Sequence, residues 1–216
     1  MNTKTRKITT IAMLVAISFA AVTFLRIPIV LFLKYDPKDV IITIGGLIWG
    51  PITSALVSII VSIIEMITIS ETGPIGLIMN ILASCFFACP AAIIYKRKRT
   101  LSGAVIGLVI GALSSTAIML LWNYLITPLY MGVPRSEVVK LLIPAILPFN
   151  LLKTGLNAAF TMLLYKPIIN ALKKANLISN DDNKQIIAKR HLGTVFVSIV
   201  VIVSAILLAL SLNGTI

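Results

Sequence analysis

Long apolar runs alternate with short polar breaks along this chain. The runs cover residues 8–33, 40–50, 52–69, 75–95, 101–129 and 141–172, and a polar stretch at 176–191 precedes a last run at 193–212. Most of these runs reach the roughly 20 residues that a helix needs to cross a bilayer core of about 30 Å. The pattern therefore predicts an all-α, polytopic membrane bundle. The run at 40–50 is the exception, because a helix of that length falls well short of the bilayer core.

Charge decides how to count it. Lys and Arg cluster at 4–7, at 96–99 and within 166–190. Basic residues next to spans favour the cytoplasmic side. With a cytoplasmic N-terminus, counting 40–50 as a span keeps all three clusters inside. Omitting it exports two of them. The short run is therefore counted, either tilted or starting within the preceding loop. Outer loops then fall at 34–39, 70–74 and 130–140, and the last span leaves the C-terminus outside.

Small residues recur at helical spacing in two places. Ala12, Ala16 and Ala20 form one stripe, and Gly103, Gly107, Gly111 and Ser115 form another. Such stripes let helix backbones approach closely in lipid. Each stripe suits either packing inside the bundle or docking of a partner helix.

Composition narrows the class. Of the residues, 58% are hydrophobic and 12% charged, with a formal net charge of +12. Soluble domains carry about 25% charged residues, so lipid must cover much of this surface. The basic clusters flank apolar spans, which points to anionic lipid and membrane orientation rather than to nucleic acid. The first apolar run is too long for the core of a signal peptide. Cys85 and Cys89 lie in an apolar helix, and the one histidine, His191, lies in the polar stretch. Both cysteines read as packing residues, and no metal site is expected.

Polar residues within the spans carry the candidate chemistry, because ionisable groups at that depth are costly. Asn150, Lys153 and Asn157 share one helix face, with Pro144 and Pro148 just before them. Proline frees backbone carbonyls and bends a helix. Such a face can line a polar cavity, or Lys153 can pair with Glu65 to hold two helices together. Glu65 itself ends a row of Ser54, Ser58 and Ser62. Asn80, Trp122, Asn123, Tyr124, Tyr35, Asp36 and Asp39 fall toward the same, outer side. Asn donates and accepts, Lys only donates, and the aromatic rings offer flat apolar faces. The set suits a planar molecule with carbonyl and N–H edges.

The motifs of bond-making are missing. There is no GxSxG, no HExxH and no acidic metal cluster. No GxxxxGK[ST] loop is present to bind ATP. A binder powered by a partner is therefore favoured. Two rivals stay open: an intramembrane enzyme acting on lipid through Glu65 and Lys153, and a structural membrane protein with a buried ion pair.

Several short stretches together resemble a known family. They are residues 34–39 (KYDPKD), Gly45-Gly46 through Trp49-Gly50-Pro51, Asn80, Asn123-Tyr124 with Thr127-Pro128, and residues 148–153 (PFNLLK), joined by the alanine stripe on the first helix. The pattern is similar to a substrate-binding S component of the energy-coupling factor (ECF) vitamin transporters, and within them to the riboflavin-specific members. The likeness spans about residues 9–174.

That resemblance implies a six-helix core at 1–175 that captures vitamin from outside the plasma membrane of a prokaryote. It implies association with a transmembrane coupling subunit and two cytosolic ATPases, and toppling in the membrane to release the ligand. It implies docking through Ala12, Ala16 and Ala20. It implies a ligand site drawing on Asn150 and Lys153, then Asn80, Asn123 and Tyr124, then Tyr35 and Asp36. Riboflavin would be cargo rather than cofactor. The outer side has no arginine clamp for phosphate, which favours riboflavin over its phosphate, while Lys34, Lys38 and Arg26 keep the phosphate open and another small vitamin is the alternative cargo. The linker at 176–192 and a further span at 193–216 depart from the family's six helices.

Overall fold

The computed structural model describes residues 3–30, 33–70, 72–175, 177, 198–199 and 202–203. The predicted linker and C-terminal span lie outside these residues apart from the few just named.

The chain folds into α1 (Thr3–Phe24), β1 (Ile27–Val30), β2 (Leu33–Tyr35), α2 (Lys38–Trp49), α3 (Pro51–Thr68), α4 (Gly73–Arg97), α5 (Leu101–Leu125), α6 (Thr127–Met131), α7 (Arg135–Leu141) and α8 (Leu147–Lys174). A π turn at Leu142–Ile146 joins α7 to α8. Five helical stretches among the described residues are long and apolar enough to cross a membrane. The α7–π–α8 rod counts as one of them, 40 residues long.

The first run is not a single helix over 8–33. It ends at Phe24 and turns into an antiparallel hairpin, with Ile27 opposite Tyr35. Pro28 explains the break. It has no N–H to donate, and it disfavours helical geometry at Ile27.

The short run starts within the preceding loop, the second of its two expected forms, since α2 begins at Lys38. Residues 38–47 of α2 are all buried. It packs against α1, α3, α4 and α8. A helix enclosed by protein need not match the bilayer thickness, because neighbours rather than lipid meet its ends. Gly46 makes that enclosure possible, since a Cβ there would run into Ser54 and Ala92. Gly50, at φ 95°, then breaks the chain, and Pro51 starts α3.

Helix α3 shows how the bundle inverts the usual amphipathic order. Ile52, Leu56, Ile59, Ile60, Ile63 and Ile67 face outward, while Ser54, Ser58, Ser62 and Glu65 are buried. Lipid accepts the isoleucines at no cost, so the polar face turns inward.

The two small-residue stripes part company. Gly103, Gly107, Gly111 and Ser115 are buried. A Cβ on Gly107 would press on the Ala91 backbone, and one on Gly111 on the Phe87 carbonyl. This stripe is the α4–α5 packing seam. Ala12 and Ala16 are exposed and Ala20 is half-buried, so the first stripe faces away from the bundle.

Helix alternation puts the hairpin, the α3–α4 turn and α6–α7 at one end. The N-terminus, Gly50 and the α4–α5 turn lie at the other. The four acidic residues of the described part, Asp36, Asp39, Glu65 and Glu137, all lie toward the hairpin end.

Candidate functional site

The hairpin delivers Tyr35 and Asp36 into the bundle, and the start of α2 follows with Lys38 and Asp39. All four are buried. Pro37 precedes the helix, so the charged pair forms its first turn. Burying bare charges at this depth costs several kcal/mol per ion unless partners compensate. Each one has found a partner on a different helix.

Lys38 Nζ lies 2.6 Å from Glu65 Oε1 on α3, with the two side chains 2% exposed. The other Glu65 oxygen accepts from Asn80 Nδ2 of α4 at 3.0 Å. Asp39 accepts from Ser84 of α4 through Oδ1 and from Asn157 Nδ2 of α8 through Oδ2. Asn157 Oδ1 in turn accepts from the Tyr35 hydroxyl at 3.1 Å. One turn nearer the hairpin end of α8, Lys153 Nζ meets Asp36 Oδ2 at 3.0 Å. Three carboxylates and two ammonium groups thus tie the hairpin, α2, α3, α4 and α8 together. The expected alternative of a Lys153–Glu65 pair is replaced, because Lys38 reaches Glu65 first and Asp36 takes Lys153.

One carboxylate oxygen is left over. Asp36 Oδ1 is buried without a hydrogen-bond partner among the described residues. Burial pushes the Asp36 carboxyl up, but Lys153, Lys38 and Arg26 outweigh it and hold the pKa at about 2. Asp36 is therefore an anion with one oxygen unused. Burial, followed by the charges of Asp36 and Asp39, pushes the Tyr35 phenol above its usual range. It stays a donor, as its bond to Asn157 requires.

Tyr35, Asp36, Asn80 and Lys153 thus fall within one cluster of three hydrogen-bonded groups, brought side by side by the consecutive residues 35–39. Asn150, Asn123 and Tyr124 do not join its hydrogen bonds. Asn150 Nδ2 turns back to the Ile146 carbonyl at the π turn. That turn carries Pro144, with Pro148 just beyond it, and the Leu147 N–H reaches back to Leu142. Asn123 is buried, donating to Met119 O and accepting from Thr127. It closes the end of α5. Tyr124 lies at the rim under Arg135, 5.1 Å from ring centroid to guanidinium carbon.

Sequence reasoning gave Ser84 no role in the site, and Lys38 a role only toward a phosphate. Asp39 and Asn157 were placed only by side and by helix face. A usable signal was present: two adjacent charges opening an otherwise apolar helix imply partners inside the bundle. Among the described residues, no group of three His, Cys, Asp or Glu side chains gathers to hold a metal. The Cys89 thiol donates to the Pro51 carbonyl at 3.6 Å, a packing contact between α4 and the start of α3.

Comparison with known proteins gives a consistent set of likenesses. The family model described as ECF transporter, substrate-specific component, matches residues 6–165. The riboflavin transporter RibU of Staphylococcus aureus is 28% identical over 178 residues, 78% of this chain and 93% of the relative. The riboflavin transporter FmnP of Bacillus subtilis is 28% identical over 189 residues, 81% of this chain and 99% of the relative. A solved S component of a bacterial ECF transporter superposes with a TM-score of 0.67 at 29% identity, covering 79% of this chain and 99% of that one.

Proposed function

The chain belongs to the family of substrate-specific components of ECF transporters, and from that premise we propose that it captures riboflavin for uptake powered by partner subunits. The observation that carries this reading is the gathering of Tyr35, Asp36, Asn80 and Lys153 at the hairpin end. The pyrimidine edge of a flavin alternates carbonyls with an N–H. Lys153 suits a carbonyl, and the unused oxygen of Asp36 suits an N–H or O–H. The names of the relatives support the same ligand. No arginine pair sits in this cluster to grip a phosphate, so riboflavin is favoured over its phosphate.

Orientation follows from charge. The basic clusters at 4–7 and 96–99 lie at the end opposite the site. Placing them in the cytoplasm turns the site outward. The protein then works in the plasma membrane of a prokaryote as a binder rather than an enzyme. Its partners are a transmembrane coupling subunit and two ATPases. The exposed face of Ala12 and Ala16 is the surface offered to the coupling subunit.

The decisive experiment is purification in mild detergent followed by an absorbance spectrum and a fluorescence titration. Co-purified flavin, or quenching of added riboflavin, is expected. A colourless protein that quenches neither riboflavin nor its phosphate overturns the reading.

A further inference from the structure

Asn80 carries an amide that could face a ligand either way round. Here Glu65 decides the matter. A carboxylate only accepts, so the Asn80 NH₂ must turn toward Glu65 Oε2, 3.0 Å away. The carbonyl Oδ1 then points elsewhere, and no donor among the described residues reaches it. Glu65 is itself fixed by the 2.6 Å ion pair from Lys38, and both are buried at the α2–α3 contact. The orientation of Asn80 therefore rests on a dyad that is too deep to swing.

We infer that Glu65, held by Lys38, is a positioning residue that locks Asn80 as a hydrogen-bond acceptor and so selects a ligand with a donor there. On flavin chemistry that donor is either the imide N–H of the ring or a hydroxyl of the ribityl chain. The inference rests on the riboflavin reading and deepens it.

Glu65→Gln is the informative change. Glutamine keeps the shape and can still accept from Lys38, but its NH₂ meets Asn80 and turns the Asn80 amide over. A donor then faces the ligand's donor. Riboflavin affinity should fall about 10-fold, the usual scale for one misplaced neutral hydrogen bond.

A structural role alone would give that loss too, so the test compares ligands. N3-methylriboflavin lacks the imide N–H, and lumiflavin lacks the ribityl hydroxyls. In the unaltered protein each analogue pays an affinity penalty relative to riboflavin. If Asn80 accepts from the imide, the N3-methyl penalty shrinks about 10-fold in both Glu65→Gln and Asn80→Ala. If it accepts from the ribityl chain, the lumiflavin penalty shrinks instead. Should Glu65→Gln fail to fold, the double variant Lys38→Met, Glu65→Met removes the dyad without leaving an orphan charge. Asn80 is then free to turn either way, so the penalty should shrink, by less than in Asn80→Ala. Penalties unchanged in these variants overturn the inference. So does a penalty lost in Asn80→Ala but kept in the Glu65 variants. An unaltered protein that does not bind riboflavin overturns the riboflavin reading and this inference together. Intact binding with unchanged penalties overturns this inference alone.

Discussion

Lys153 and Asp36 stand 117 positions apart in sequence and meet in a 3.0 Å ion pair that fastens the β1–β2 hairpin to α8. Asp36 is 7% exposed and Lys153 15%. Removing the lysine leaves a buried carboxylate with neither oxygen paired. Truncating one partner of such a pair typically costs about 2–5 kcal/mol. Lys153→Met should therefore weaken riboflavin binding by about 100-fold or more, read by fluorescence quenching. Asp36→Asn keeps the shape and an acceptor and should cost less. A Lys153→Met protein that binds as tightly as the original would show that this pair lies outside the ligand site.

The same pair sets a pH response. The folded Asp36 pKa is lowered to about 2 from an ordinary 3.8. A lowered acid contributes stability that is complete above the unfolded value and disappears as pH falls through the folded one. The hairpin should therefore stay fastened from neutral pH down to about 4 and loosen only between there and about 2. Limited proteolysis near Arg26 from about pH 8 down to about pH 2, with an acid-stable protease at the low end, checks this. Loosening near pH 6 would place control in another group.

Gly111 faces the Phe87 carbonyl with no room for a side chain. Gly111→Leu should separate α4 from α5 and destabilise the fold by about 3 kcal/mol, the upper part of the overpacking range. Its neighbour Ile110 is exposed to lipid. Ile110→Leu should leave the detergent melting temperature unchanged. Equal effects from the two substitutions would contradict the α4–α5 seam.

Ala12 and Ala16 lie on an outward face of α1. Replacing both with Leu should leave riboflavin affinity within about two-fold and abolish uptake in cells that carry the coupling subunit and ATPases. Retained uptake would reject this face as the docking surface.

Some of this was legible before any coordinates. The runs at 52–69, 75–95 and 101–129 became α3, α4 and α5 with α6, within a few residues at most ends. Lys153 stood out because an ammonium group in a span needs a reason to be there. Its partner did not, since Lys153–Glu65 and Lys153–Asp36 are equally plausible by distance along the chain. The hairpin was hidden because 27–33 is as apolar as the helix before it, and Pro28 was the sole local signal.

Hydropathy and helical spacing are properties of neighbours in sequence. They were enough to locate α3, α4 and α5, the serine row on one face of α3 and the two small-residue stripes. Which stripe packs inside and which faces out was decided only in three dimensions. So was the burial of α2, which turns a helix too short for a bilayer into the centre of the bundle. Above all, the tertiary structure chose the ion pairs. A buried charge pairs with whatever the fold brings within about 3 Å, and contacts between residues 27 or 117 apart depend on how whole helices pack.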